Sequence, residues 1–131
     1  MKNDRSKQNT RPIVEVQLSN NDTPLAVFTH ATLRPVLKQL HATICAVIDN
    51  DKNLNSSNLS IDKEAQNTAY LKSFLQKNTE TRNLVIGAII GNFSAEELTF
   101  YLQHQKEINR RIIEMVITRY LSQITEGYAT K

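Results

Sequence analysis

Among the side chains able to do chemistry, His41 and Cys45 stand out first, because four residues place them on one face of a helix. That spacing suits two metal ligands, or a thiol beside its general base. Two ligands do not complete a metal site, and no Cys-x-x-Cys or His-Glu-x-x-His pattern supplies more. A Cys–His nucleophile also needs an oxyanion donor and an orienting residue, and neither is signalled. Both residues flank an apolar stripe, where a free cysteine packs as a small hydrophobe. His30 and His104 have neither a carboxylate partner nor ligand spacing. Glu96 and Glu97 are neighbours on a helix and project ~100° apart, so they do not form a carboxylate pair. Three glycines, two of them in Gly87 and Gly91, leave no room for a phosphate-binding or dinucleotide-binding loop. No catalytic residue, cofactor, metal or small-molecule substrate is expected, and the chain reads as a non-enzyme.

Charge gives the next candidates. Lys106, Arg110 and Arg111 form the basic cluster of the chain's body, partly answered by Glu107 and Glu114 at helical i, i+4 spacing. The net charge is +3, and Lys2, Arg5, Lys7 and Arg11 against Asp4 account for all of it. Residues 1–11 are therefore expected to be a disordered basic arm able to track phosphate. Together with Lys106, Arg110 and Arg111, the arm makes seven candidate nucleic-acid contacts.

The elements that must position these residues are legible from periodicity. Ile13 to Leu18 alternates as a half-buried strand does. A turn-rich Ser19–Pro24 follows, and Leu25 to Thr29 is expected to return as the second strand of a hairpin, since Val27, Phe28 and Thr29 favour strands. The rival reading starts a helix at Thr23-Pro24. From Leu33 the stripe Leu33, Val36, Leu37, Leu40, Ile44, Val47 and Ile48 marks a helix ending near Asp49, with Pro35 in its first turn. Residues 50–59 form a polar, flexible linker. A second helix spans Ile61 to Lys77, capped by Ser60, with Ile61, Ala65, Thr68, Leu71 and Leu75 on its apolar face. Leu84 to Ile90 is helix or central strand; a helix from Thr79 is preferred.

Ser94 and Glu97 have capping-box spacing, with Phe93 and Leu98 as a hydrophobic staple. Loss of the Ser94 hydroxyl should cost ~1 kcal/mol, and loss of Glu97 less. A single helix is expected from Ala95 to Thr125, ~45 Å long, with Gly127 as its C-terminal glycine. Its apolar stripe is interrupted at Gln105 and Asn109 and widens beyond Ile112. That width suggests a second packing surface, so Ile112, Met115, Val116 and Tyr120 are the expected self-association residues of a homodimer; the alternative is a monomer whose earlier helices cover the stripe.

The segments Tyr70-Leu71-Lys72-Ser73-Phe74, Leu84 and Ser94-Ala95-Glu96-Glu97-Leu98 loosely resemble the helix pattern of Hha/YmoA-type nucleoid co-regulators. The resemblance covers about a quarter of the chain and rests on apolar spacing and a capping box. It implies a nucleoid-linked role and carries over no site residue.

The expectation is one α+β, mainly helical domain over residues 12–131. An N-terminal β-hairpin is followed by three shorter helices and one long C-terminal helix. The longest apolar run is too short to cross a bilayer, residues 1–11 lack a secretory core, and the lone cysteine excludes an internal disulfide, so the cytoplasm is the expected compartment. The expected function is that of a small regulatory or interaction protein, self-associating and nucleic-acid-linked. The alternative is a protein-binding adaptor or chaperone that uses an exposed apolar helix face.

Overall fold

Thr23 opens a helix. The structure is a computed structural model that describes residue 11, residues 23–60 and residues 62–129, with side chains as far as Ile124. The Thr23 hydroxyl accepts from the Ala26 N–H at 3.1 Å, and Pro24 fills the first helical position, where its missing N–H has no partner to lose. Helix α1 then covers 24–39 in three segments: α-helical Pro24–Phe28, π-helical Thr29–Leu33 and α-helical Arg34–Gln39.

The strand expected over Leu25–Thr29 is therefore not formed, and its proposed mate, Ile13–Leu18, lies outside the described residues. Among the described residues all regular structure is helical, so the α+β class with a hairpin is corrected to all-α. Strand propensity is worth at most ~1 kcal/mol and yields to packing. Here a cap, a first-turn proline and the burial of Phe28 outweigh it. The Phe28 ring stacks on Phe100 at 4.8 Å and meets Phe93 edge-on at 5.5 Å.

Because α1 begins at Pro24, Pro35 sits inside a helix and not in its first turn. A proline there removes one N–H and drives its ring into the carbonyl four residues back. The π segment answers this directly: the Arg34 N–H reaches back five residues to the Thr29 carbonyl, and this wide turn comes immediately before the ring.

After a one-residue bend at Leu40, α2 (His41–Asp49) ends where its stripe predicts. The linker that follows is tied down. Thr81 donates to the Asp51 carboxylate at 2.6 Å, Asn53 to the Asn78 side chain at 2.7 Å, and the Asn55 N–H to the Tyr70 hydroxyl at 2.8 Å. A single 3-10 turn, Ser56–Asn58, leads to the buried Leu59. Helix α3 is Glu64–Lys77, starting later than Ile61, and Ser60 does not cap it. Ser60 is instead held by the buried Asn67, whose amide accepts from the Ser60 N–H at 3.0 Å and donates to its carbonyl at 2.6 Å. The buried face is accordingly Asn67, Leu71, Phe74 and Leu75, while Ala65 and Thr68 face solvent. Asn67→Ala should cost ~1–3 kcal/mol in urea denaturation, since both Ser60 backbone groups lose their partner. The exposed neighbour Gln66→Ala should change little; equal effects would show that the clasp carries no stability.

Helix α4 (Thr79–Ile90) settles the apolar run 84–90 as helix, stopped at Gly91. The expected single C-terminal helix is two: α5 (Ala95–Gln103) and α6 (Gln105–Ala129), bent at His104. No glycine or proline lies between Ala95 and Gly127, so the bend is made without a helix breaker, at His104. It lets Phe100 reach Phe28, and the Tyr101 hydroxyl donates across the bend to Asn109 at 2.7 Å. The polar residues in the middle of the stripe thus sit at the bend, and the helix continues past Gly127. Helix α6 packs against α2, α3 and α5, and α4 packs against α2 and α3. The core runs through Val36, Leu37, Ile44, Ile48, Leu71, Leu75, Val85, Ile89, Ile108, Ile112 and Val116.

Candidate anionic-partner groove

The α3–α6 seam carries a groove of about 490 Å³. Leu75, Ile113 and Ile117 are its apolar lining residues, of which Ile113 is half-buried and the other two belong to the core, and Gln76 joins Leu75 from α3. Four cations edge it: Lys72 from α3, Arg82 from the first turn of α4, and Lys106 and Arg110 from α6. Against them stand two carboxylates, Glu107 and Glu114, so the lining carries a net charge of +2. None of the four cations has a carboxylate within 4.0 Å among the described residues; the ion pair found there is Arg11–Glu97. The expected Glu107–Arg111 and Arg110–Glu114 pairs are therefore not made.

The α6 lining residues 106, 107, 110, 113, 114 and 117 follow the i, i+3/i+4 spacing of one helix face over about three turns. Sequence reasoning placed Lys106 and Arg110 here and missed Lys72 and Arg82. These arrive from two other helices, through packing that no local pattern announces.

The remaining sequence candidates scatter. Lys2, Arg5 and Lys7 lie outside the described residues. Arg11 is not a free cation: its guanidinium grips both Glu97 carboxylate oxygens at 2.7 Å and also donates to the Asn92 carbonyl. The two side chains are only 6 % and 11 % exposed. Glu97 further accepts from the Ser94 N–H at 2.8 Å and the Thr32 hydroxyl at 3.0 Å. Burial alone would push its carboxyl up; the Arg11 hydrogen bond, the Ser94 N–H, the Arg11 charge and Thr32 outweigh that and hold it at about 2. The Glu97 N–H, in turn, donates to the Ser94 hydroxyl at 3.2 Å, so the capping box is complete. Of the two staple residues, Phe93 is buried with its ring on Phe28 and Tyr101, and Leu98 is 38 % exposed. Arg111 leaves the basic cluster and reaches Thr29 of α1 at 3.4 Å.

Of the expected self-association residues, Ile112, Val116 and Tyr120 are buried in the chain's own core, and Met115 is half-buried. The width of the α6 stripe is used by α2, α3 and α5 together. At the His41–Cys45 pair, Sγ and Nε2 are 3.8 Å apart, and burial, followed by the Asp49 charge, pushes the thiol up. This keeps the thiol protonated, which favours packing over nucleophilic attack. Among the described residues no three His, Cys, Asp or Glu side chains are grouped to hold a metal ion. No described helix is long and apolar enough to cross a membrane.

In comparisons with known proteins, no family model, no curated protein and no solved structure matches the chain. The groove has to be read from its own chemistry.

Proposed function

We propose that this chain is a non-enzymatic interaction protein, an adaptor, and that the α3–α6 groove holds an anionic segment of a protein partner. One observation carries the reading: four cations with no carboxylate partner among the described residues line one groove together with apolar surface. Phosphate recognition calls for cations and backbone donors and gains nothing from the apolar surface among them. Glu107 and Glu114 interrupt the cations, which disfavours a uniformly charged phosphate backbone more than a segment whose acidic side chains are confined to one side. A protein segment uses both parts, burying apolar side chains against the apolar surface and setting acidic ones against the edge. The pairing of Arg11 with Glu97 takes one cation out of the candidate phosphate contacts, which also weakens the nucleic-acid reading.

Affinity capture from native lysate, with and without nuclease, tests the proposal when wild type is compared with Lys106→Glu/Arg110→Glu. Both side chains are exposed, so the variant should fold and melt like wild type. A protein captured by wild type, retained after nuclease and lost in the variant is the expected result. Capture that vanishes with nuclease would replace the adaptor with a nucleic-acid-linked regulator.

A further inference from the structure

We infer that the segment taken by the groove is a single amphipathic helix of about three turns, with an apolar stripe and an acidic flank. This rests on the adaptor reading above and specifies its partner. The groove lies along the seam of two packed helices, α3 and α6, and its α6 side is one continuous face from Lys106 to Ile117. Such a seam is the complement of another helix's side-chain ridge. An extended strand would need an open row of backbone donors and acceptors, which helices do not offer. Eleven residues of rise make the α6 face ~16 Å long, the length of a three-turn helix.

Charge then chooses the kind of helix. Lys106 and Arg110 are one turn apart, so carboxylates four residues apart on the incoming helix can meet both at once. Lys72 and Arg82 come from the other two helices that border the groove and extend the same preference. Glu107 and Glu114 are also in the lining and disfavour an acidic face all round; they select a helix with one acidic flank. Leu75 and Ile117 are buried in the chain's own core, so the apolar surface open to the partner's stripe is the half-buried Ile113 with the hydrocarbon stems of the charged side chains around it, held in place in the free chain by that core.

Fluorescence anisotropy with three labelled 15-residue peptides and the full chain tests this. The first is a Leu/Glu/Ala amphipathic helix with Glu at i, i+4 on one flank. The second is the same sequence with its central alanine replaced by proline, and the third replaces Glu by Lys. A 20-base-pair duplex DNA is the fourth probe. The acidic helix should bind with micromolar Kd, and the proline and lysine peptides at least ~10-fold more weakly. Lys106→Glu/Arg110→Glu, and independently Lys72→Glu, should weaken the acidic helix by ~10-fold or more while the circular dichroism melt is unchanged. Equal binding of the acidic and proline peptides would overturn the helical partner and leave the anionic-protein reading standing. Duplex DNA binding with no acidic peptide bound would overturn both. Acidic-helix binding that ignores all three charge reversals would place the site elsewhere and overturn the inference.

Discussion

Val116→Glu is expected to unfold the protein at every concentration. Val116 is 0 % exposed, midway along the helix that touches α2, α3 and α5. A carboxylate there has no described partner among Ile112, Ile117, Tyr120 and the other core side chains. The desolvation cost is several kcal/mol even after relaxation, and the lost valine burial adds ~1.5 kcal/mol or more. Stability of a domain this size is ~5–15 kcal/mol, so one such change consumes most of it. Circular dichroism should show loss of helix, and light scattering should show no well-folded smaller species. A helical, monodisperse Val116→Glu protein would instead put Val116 at a contact between two copies, as the width of the stripe first suggests. Tyr120→Phe is the mild counterpart: it removes only the hydroxyl that donates to the exposed Asp49 at 2.5 Å.

Glu97→Ala should cost about 3 kcal/mol, more than the ~1 kcal/mol of Ser94→Ala. That reverses the order expected from a capping box alone. The Ser94 hydroxyl accepts from the Glu97 N–H, whereas the Glu97 carboxylate receives the Arg11 charge as well as hydrogen bonds from Arg11, Thr32 and the Ser94 N–H. The pH dependence follows in sign. The folded carboxyl is held at about 2, below its ordinary 4.5, so the stabilisation is complete above pH ~4.5. It is lost as pH falls from there towards 2, when the folded state must also take up the proton. Urea denaturation at pH 6 and pH 3 should show wild type losing more stability than Glu97→Gln. Equal losses would mean that the Arg11–Glu97 contact does not hold the carboxylate in solution. Arg11→Ala should remove much of the difference, since the guanidinium supplies both a hydrogen bond and a charge.

The sequence was most legible where the signal is local. The Ser94–Glu97 box forms atom for atom, α4 begins at Thr79 and stops at Gly91, and α2 ends at Asp49. It was least legible where a distant partner decides. Arg11 counts as a free cation until Glu97, 86 residues away, takes its charge. The bend at His104 has no breaker residue; the Phe28–Phe100 stack and the Tyr101–Asn109 hydrogen bond lie on either side of it. Val27, Phe28 and Thr29 favour a strand locally, and the rival Thr23-Pro24 helix start prevails because Phe28 joins an aromatic cluster with Phe93 and Phe100 that no local pattern shows. The groove was half visible: i, i+4 spacing reveals Lys106 and Arg110, but nothing in Lys72 or Arg82 foretells that they join them.

The wide turn at Thr29–Leu33 limits what length changes this chain can accept. Downstream, the Pro35 ring requires the extra residue that the turn provides. Upstream, adding or removing one residue would rotate Pro24–Phe28 by ~100° about the helix axis. Phe28 would then swing off Phe93 and Phe100. A proline on one side and a phenylalanine on the other therefore fix the residue count between them. Replacing Pro35 alone does not release it. Single-residue insertions and deletions, usually absorbed by surface connections, are excluded from this stretch, and in any related chain keeping both rings the interval from 28 to 35 should align without a gap.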